Sequence, residues 1–141
     1  MITFNYETNF ILEDEVSVQK WIHQIISNHN CELGEVNYIF CDDDYLHKLN
    51  IEFLNHDTLT DIISFDNSFG KLINGDIYIS IDRVADNATD FKVSFNEELR
   101  RVMIHGVLHY IGFKDKLETE QLEMTKQENL ALTLFKQLII N

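Results

Sequence analysis

The sequence has no proline, only two cysteines in 141 residues, and few basic side chains. Cys31 and Cys41 show neither the close spacing of metal-binding cysteine pairs nor the density of a disulfide framework, so we expect two thiols with structural roles. No apolar run approaches the roughly 20 residues that a membrane-spanning helix needs, and the first residues lack the basic and apolar regions of a signal peptide. We therefore expect a cytoplasmic protein without membrane contacts.

The charge of the chain is strongly unbalanced. Its 24 acidic side chains against 11 basic ones give a formal net charge of -13. A charge of this sign opposes non-specific attraction to phosphate backbones, and we expect no binding to DNA. Any contact with nucleic acid must depend on a local basic patch, a metal ion or a protein partner.

The length and the 45% content of hydrophobic residues are those of one domain with a sizeable core, which we place at residues 1–141. Alternation of apolar and polar residues predicts strands near residues 2–6, 36–40, 58–66 and 75–81, with the last two paired antiparallel. Spacings of three to four residues predict helices near residues 13–28, 45–54, 82–90, 94–111 and 118–140, and the last is expected to bury Leu122, Leu130, Leu134, Phe135 and Leu138. This order predicts a mixed α/β (α+β) domain in which helices cover a four-stranded mixed sheet.

Two histidines lie four residues apart in the apolar part of the predicted fourth helix. His105 and His109 then project from one helix face toward a single point. Gly112 is a predicted helix stop, after which the chain reverses and brings Asp115 near the pair. Three protein ligands with a fourth position left to water form a catalytic zinc site, in which the metal-bound water is the nucleophile. We therefore predict a metal site at the end of this core helix, with His105, His109 and Asp115 as ligands.

A pair of histidines at this spacing also arises by chance, so its surroundings matter. Two imidazoles in an apolar segment cost desolvation if they have no partner. Gly106 lies inside a helix, where glycine is about 1 kcal/mol less favourable than alanine, and this suggests close approach of a ligand or another backbone. Gly106 also occupies the position where a metalloprotease helix carries its glutamate base, so peptide hydrolysis is disfavoured. The aspartates at 42–44 are predicted to start a helix and not to bind metal.

Several motifs resemble those of the YbeY family, which comprises bacterial metal-dependent endoribonucleases of ribosomal RNA maturation. The segment HGVLHYIGF at residues 105–113 is similar to the family signature HGxLHxxGYDH. The segment TDIISF at residues 60–65, preceded by LN at 49–50, matches the family's TDVLSF strand, and GDI at 75–77 matches its GDI strand. The spacing ExxxMxxxE recurs at Glu120, Met124 and Glu128.

The resemblance extends from about residue 36 to residue 128 and implies a function. It implies a zinc-dependent, single-strand-specific endoribonuclease that trims the 3' end of the small-subunit ribosomal RNA precursor and takes part in ribosome quality control. One Zn²⁺ per chain is implied, with ribosomal RNA and the small ribosomal subunit or its assembly factors as partners. The alternatives are a catalytically weak binding factor in ribosome assembly and a metal hydrolase that acts on another substrate.

The third ligand position departs from the family pattern. The family's third histidine falls on Asp115, whose carboxylate makes a harder site that can favour another divalent ion over zinc. Glu118 and Glu120 follow closely and are alternative carboxylate ligands.

A basic position of the family is also changed. An arginine that is usual in the family falls here on Leu54, which leaves its phosphate-binding or catalytic role unfilled. His56, Lys114 and Lys116 are the candidates for a compensating role or for the protein acid and base.

Overall fold

The computed structural model describes residues 1–140, which form a four-stranded sheet and five helices. In chain order these are β1 (Ile2–Tyr6), α1 (Glu15–Asn28), β2 (Glu32–Cys41), α2 (Asp43–Leu54), β3 (Ile62–Asp66), β4 (Leu72–Ser80), α3 (Ile81–Phe91), α4 (Phe95–Ile111) and α5 (Glu118–Ile140). The strands lie in the order β1-β2-β4-β3; β1, β2 and β4 are parallel, and β3 is antiparallel to β4. The predicted α+β fold, its element order and the antiparallel β3–β4 pair are confirmed.

The alternation along the strands sends side chains to two faces of the sheet. One face, which includes Tyr38, Phe40 and Ile77, packs in one core cluster with residues of α1, α4 and α5. On the other face, Leu46 of α2 packs against Cys41 and Ile63 in a smaller cluster. The sheet therefore has α2 on one side and the main core on the other. Among the described helices, none combines the length and the apolar character needed to cross a membrane.

The start of α2 explains the three consecutive aspartates. Asp42 is the N-cap, and its Oδ1 accepts a hydrogen bond from the backbone N–H of Tyr45 at 2.9 Å. Asp43 forms an ion pair with Arg83 of α3 at 3.1 Å. Carboxylates in this first turn complement the positive end of the helix dipole, as the sequence predicted.

Helix α4 is packed more tightly into the core than its neighbours. It starts at Ser94, whose Oγ accepts a hydrogen bond from the backbone N–H of Glu97 at 3.1 Å. A Cβ atom at Gly106 would lie 3.0 Å from Cδ1 of Ile77 and 3.2 Å from Cδ1 of Ile62. Gly106 therefore allows the helix to approach side chains of the sheet, and the expectation that it admits a ligand or a backbone was wrong.

The predicted apolar face of α5 was wrong at three of its five positions. Leu122, Leu130 and Leu138 are 67%, 55% and 41% exposed, whereas Leu134 is half-buried and Phe135 is buried. The face that is buried carries Met124, Glu128, Ala131, Leu132 and Phe135. A pattern based on hydrophobicity misses this face because a glutamate lies in its middle.

Gly75 of β4 should tolerate a side chain less well than Gly70 does. The hydroxyl of Tyr110 on α4 donates to the carbonyl oxygens of Phe65 and Asp76 at 3.2 and 3.0 Å, which holds its ring against the sheet. A Cβ at Gly75 would lie 2.6 Å from both the Phe65 carbonyl oxygen and the Tyr110 ring. We expect Gly75→Ala to lower the free energy of unfolding by about 2–3 kcal/mol in urea denaturation.

The matched control is Gly70→Ala. Gly70 has a φ of 60° but no heavy atom within 4 Å of a Cβ, so only backbone strain of about 1 kcal/mol is expected. An equal or larger loss at Gly70 would contradict the packing explanation.

Candidate metal centre

The end of α4 and the loop after it bring the three predicted ligands to one point. Nε2 of His105 and Nε2 of His109 are 3.0 Å apart, and Oδ2 of Asp115 is 3.3 Å from each of them. Within the described part of the chain, these three residues form the one group of histidine, cysteine or acidic side chains whose ligand atoms all lie within 4.8 Å. Glu118 and Glu120 lie outside it, and Oε1 of Glu120 instead accepts a hydrogen bond from the backbone of Leu117 at 2.9 Å.

The reversal of the chain after α4 places Asp115. Gly112 adopts a φ of 125° and ends the helix, a conformation that glycine reaches without strain. The backbone N–H groups of Gly112 and Phe113 both donate to the carbonyl oxygen of Leu108, at 3.1 and 3.0 Å. These bonds fold the following residues back over the last turn, so Asp115 faces the two imidazoles.

The second nitrogen of each imidazole is already occupied. Nδ1 of His105 lies 2.7 Å from Oε2 of Glu128, and Nδ1 of His109 lies 2.9 Å from the carbonyl oxygen of Phe113. Both partners are acceptors, so in the neutral rings each Nδ1 carries the proton and each Nε2 presents a lone pair. Two imidazole lone pairs and a carboxylate oxygen therefore face one another.

Three converging acceptors need a cation between them, and their spacing fits one. Zinc binds nitrogen and oxygen ligands at about 2.0–2.2 Å, which in a tetrahedral site separates the ligand atoms by about 3.3–3.5 Å. The separations of 3.0, 3.3 and 3.3 Å among His105, His109 and Asp115 are close to these values. The donor set thus fits a small divalent ion without a rearrangement of the backbone.

A series of charged contacts, from Arg101 through Glu128, holds His105 at its Nδ1 atom. Nη1 of Arg101 lies 2.9 Å from Oε1 of Glu128, whose other oxygen binds His105, and Nη2 of Arg101 donates to Asn129 at 2.7 Å. Burial opposes ionisation of His105, but the hydrogen bond and charge of Glu128, with the charges of Asp115 and Asp61, outweigh it and raise the pKa of the imidazole. The surroundings of His105 thus favour positive charge.

A cavity of about 240 Å³ adjoins this group. Its walls include His105 and Glu128, and three further polar side chains, those of Asp61, Glu98 and Arg101, with Ile62 and Val102 as apolar parts. Glu98 is only 4% exposed. Burial raises the pKa of Glu98 to about 7; the charge of Arg101 acts against this rise, and the charges of Asp61 and Glu128 add to it.

The other residues singled out from the sequence lie on the surface. His56, in the loop between α2 and β3, is exposed, as are Lys114 and Lys116 on either side of Asp115. Within residues 1–140, none of the three side chains forms a hydrogen bond or ion pair with the ligand group. Leu54, at the arginine position of the family, is 43% exposed at the end of α2.

Sequence reasoning gave no role to Glu128, Arg101 or Glu98. Glu98 and Arg101 precede His105 by seven and four residues, so all three share one face of α4 with His109. This polar stripe, which continues into the apolar second half of the helix, was the available signal for Glu98 and Arg101. For Glu128 the available signal was its place in the family spacing ExxxMxxxE.

Comparison with known proteins shows the family to which the chain belongs. The family model described as "Endoribonuclease YbeY" matches residues 2–136. The chain belongs to the YbeY family.

Two relatives bear the same description. The chain is 58% identical over 135 residues to "Endoribonuclease YbeY" of Flavobacterium psychrophilum, a match that covers 96% of each protein. It is 54% identical over 135 residues to the Flavobacterium johnsoniae protein of that name, with 96% and 97% covered. A solution structure from Thermotoga maritima has the same fold, with a TM-score of 0.69, 24% identity, and 96% of this chain and 89% of that chain covered.

The raised pKa of Glu98 predicts how stability changes with pH. An unfolded glutamate ionises near pH 4.3, whereas Glu98 in the folded protein keeps its proton up to about pH 7. Ionisation of Glu98 therefore stabilises the unfolded chain more than the folded protein as the pH rises from about 4.5 to 7. The free energy of unfolding of the unsubstituted protein, compared with that of Glu98→Gln, should fall by up to about 3 kcal/mol over this range and then stay constant.

Urea denaturation in the presence of a chelator, at pH values from 5 to 8, measures this difference. Glu97→Gln, at the neighbouring position on α4, is the control: it keeps Glu98 and should therefore keep the pH dependence that Glu98 causes. A difference between Glu98→Gln and the unsubstituted protein that stays constant across this range would refute the prediction.

Proposed function

We propose that this protein is a metal-dependent endoribonuclease whose ion is held by His105, His109 and Asp115. The observation that carries the proposal is the convergence of their three acceptor atoms within 3.3 Å in a chain that belongs to the YbeY family. Relatives named endoribonucleases match almost the whole chain. Residues 1–141 would then act as one endoribonuclease domain.

The protein's own groups prepare the site for phosphodiester hydrolysis. When bound, a divalent ion supplies Lewis-acid stabilisation of phosphoryl oxygens and a nucleophilic water at neutral pH. Glu128 and the Phe113 carbonyl hold the protons of both imidazoles on Nδ1, which directs each Nε2 lone pair inward. Arg101 in turn fixes the Glu128 carboxylate. No step needs His105 or His109 to release its Nδ1 proton.

The substrate we propose is single-stranded RNA, and specifically the 3' end of the small-subunit ribosomal RNA precursor in the cytoplasm. The net charge of -13 supports a role for a partner such as the small subunit or its assembly factors, since the chain alone repels RNA. The exposed side chains of Lys114 and Lys116 flank Asp115 and are our candidates for contacts with phosphate. The Leu54 position favours a second candidate function, a catalytically weak assembly factor that binds the same RNA.

Zinc is the ion that we propose, and Asp115 is the residue that tests its coordination. Asp115→Ala should weaken zinc binding at least about tenfold, because it removes one of three ligands, whereas Asp115→His should strengthen it by supplying an imidazole. Competition with a chromophoric chelator measures the dissociation constant. Asp90→Ala, at an exposed aspartate on α3, is the control. Unchanged affinity in both Asp115 variants would exclude Asp115 as a ligand.

Cleavage of RNA tests the activity directly. The purified protein loaded with zinc should cut an unstructured RNA of defined sequence, and His105→Ala should lose at least about 100-fold in rate because the ligand set is incomplete. His23→Ala, at an exposed histidine on α1, should cut at the unsubstituted rate. Equal cleavage by His105→Ala would assign the activity to a contaminant. Tight RNA binding without cleavage by the zinc-loaded protein would support the assembly-factor function instead.

A further inference from the structure

One carboxyl group beside the metal centre is largely enclosed by the protein and has no protein partner. Glu98 is 4% exposed, and within residues 1–140 its carboxyl group makes no hydrogen bond and no ion pair; no completely buried side-chain nitrogen or oxygen lacks a partner there, so its oxygens are reached from the cavity. It lines the cavity of about 240 Å³ that also reaches His105. A carboxyl group enclosed to this degree loses part of its hydration, and such costs are retained mainly at functional sites. The carboxyl group of Glu98 is therefore available to bind a ligand that enters the cavity.

The charged walls of this cavity mainly offer acceptors. Oδ2 of Asp61 accepts from Asn87 at 3.2 Å, so its other oxygen is available alongside the two oxygens of Glu98. The one guanidinium in the wall, that of Arg101, uses one N–H of each terminal nitrogen to bind Glu128 and Asn129. The two carboxyl groups therefore favour a ligand that presents hydrogen-bond donors to this surface.

The size and the apolar walls narrow the ligand further. Pockets for drug-sized molecules occupy roughly 300–1,000 Å³, so a cavity of about 240 Å³ suits one heterocycle and not a whole nucleotide. Ile62 and Val102 supply apolar wall against which a flat ring can lie. Proteins that recognise single-stranded RNA hold unstacked bases in this way, by apolar contact with the ring and hydrogen bonds to its edge.

We propose that this cavity is a base-recognition pocket, in which Glu98 accepts hydrogen bonds from the exocyclic amino group of a nucleobase next to the scissile phosphodiester. The proposal rests on the proposed function, since His105 belongs to both the cavity and the metal group. Cytosine, adenine and guanine carry such an amino group. Uracil has a carbonyl oxygen in place of the amino group of cytosine, and this oxygen repels a carboxylate placed to accept from that amino group.

Cytidine and uridine monophosphates provide a matched pair of probes. The two nucleotides have the same phosphate and the same ring size, and cytosine carries an amino group where uracil carries a carbonyl oxygen. Any contact of the phosphate with the ion contributes equally to both dissociation constants and therefore cancels in their ratio. At pH 8, above the pKa of about 7 at which Glu98 ionises, calorimetric titration of the zinc-loaded protein should give cytidine monophosphate about tenfold tighter binding than uridine monophosphate. In Glu98→Met, which keeps the length of the side chain and removes its acceptors, the ratio should fall to about one.

Glu97→Met, the same substitution one residue earlier, is the control and should keep the ratio of the unsubstituted protein. A measurement that needs no variant is the methyl NMR spectrum: titration with cytidine monophosphate should shift the signals of Ile62 and Val102. Any one of three results would refute the proposed base pocket. These are a ratio near one in the unsubstituted protein, a ratio that is unchanged in Glu98→Met, and Ile62 and Val102 methyl signals that do not shift.

The two proposals fail in different ways. Cleavage of RNA that depends on His105, together with equal binding of the two nucleotides, would remove the base pocket and leave the nuclease function intact. Selective binding of cytidine monophosphate by a protein that cuts no RNA would keep the pocket and refute the nuclease function.

Discussion

Three atoms with lone pairs lie within 3.3 Å of one another at the end of α4, and the surrounding structure is arranged to keep them there. Acceptors at this distance repel unless a cation or a proton lies between them. Glu128 and the Phe113 carbonyl hold the ring protons of the neutral imidazoles on the far nitrogens, so the space between the three atoms is left to a metal ion or to a second proton on His105, whose pKa is raised. The two hydrogen bonds outside the group therefore matter as much as the ligands, because they direct both Nε2 lone pairs to one point.

The precision of that group comes from packing on the opposite side of the same helix. Gly106 lets α4 lie directly on Ile77, and Tyr110 fixes the last turn by its bonds to two carbonyl oxygens of the sheet. Side chains in such a close-packed core have little room to shift. Because the apolar face of α4 is held tightly, the helix presents His105 and His109 in one geometry. Most of the conformational entropy of these two side chains is therefore lost when the protein folds and not when an ion binds.

The sequence predicted those parts of the molecule that depend on local periodicity. The element order, the β3–β4 pairing and the convergence of His105, His109 and Asp115 all follow from spacing and from the stop at Gly112. What could not be predicted depends on charged side chains that are buried. Glu128 lies in the buried face of α5 because Arg101 pairs with its charge and His105 donates a hydrogen bond to it, and these contacts join α5 to α4. A hydrophobicity pattern places such a residue in solvent, which displaced the predicted apolar face of α5.

The exchange of a histidine for Asp115 has a physical consequence for the kind of ion chemistry that the site supports. A divalent ion held by two neutral imidazoles and one carboxylate keeps one positive charge less than an ion held by three imidazoles. Its attraction for phosphoryl oxygens is correspondingly weaker, while the hard carboxylate binds it more strongly by charge.

Positive charge on the protein side is also scarce, since Arg101 is paired with Glu128 and the chain carries a net charge of -13. Substrate binding by phosphate contacts alone would therefore be weak here. A pocket that holds a neutral base through Glu98 provides binding free energy that this acidic surface cannot obtain from phosphate, and it does so beside the group where the reaction would take place.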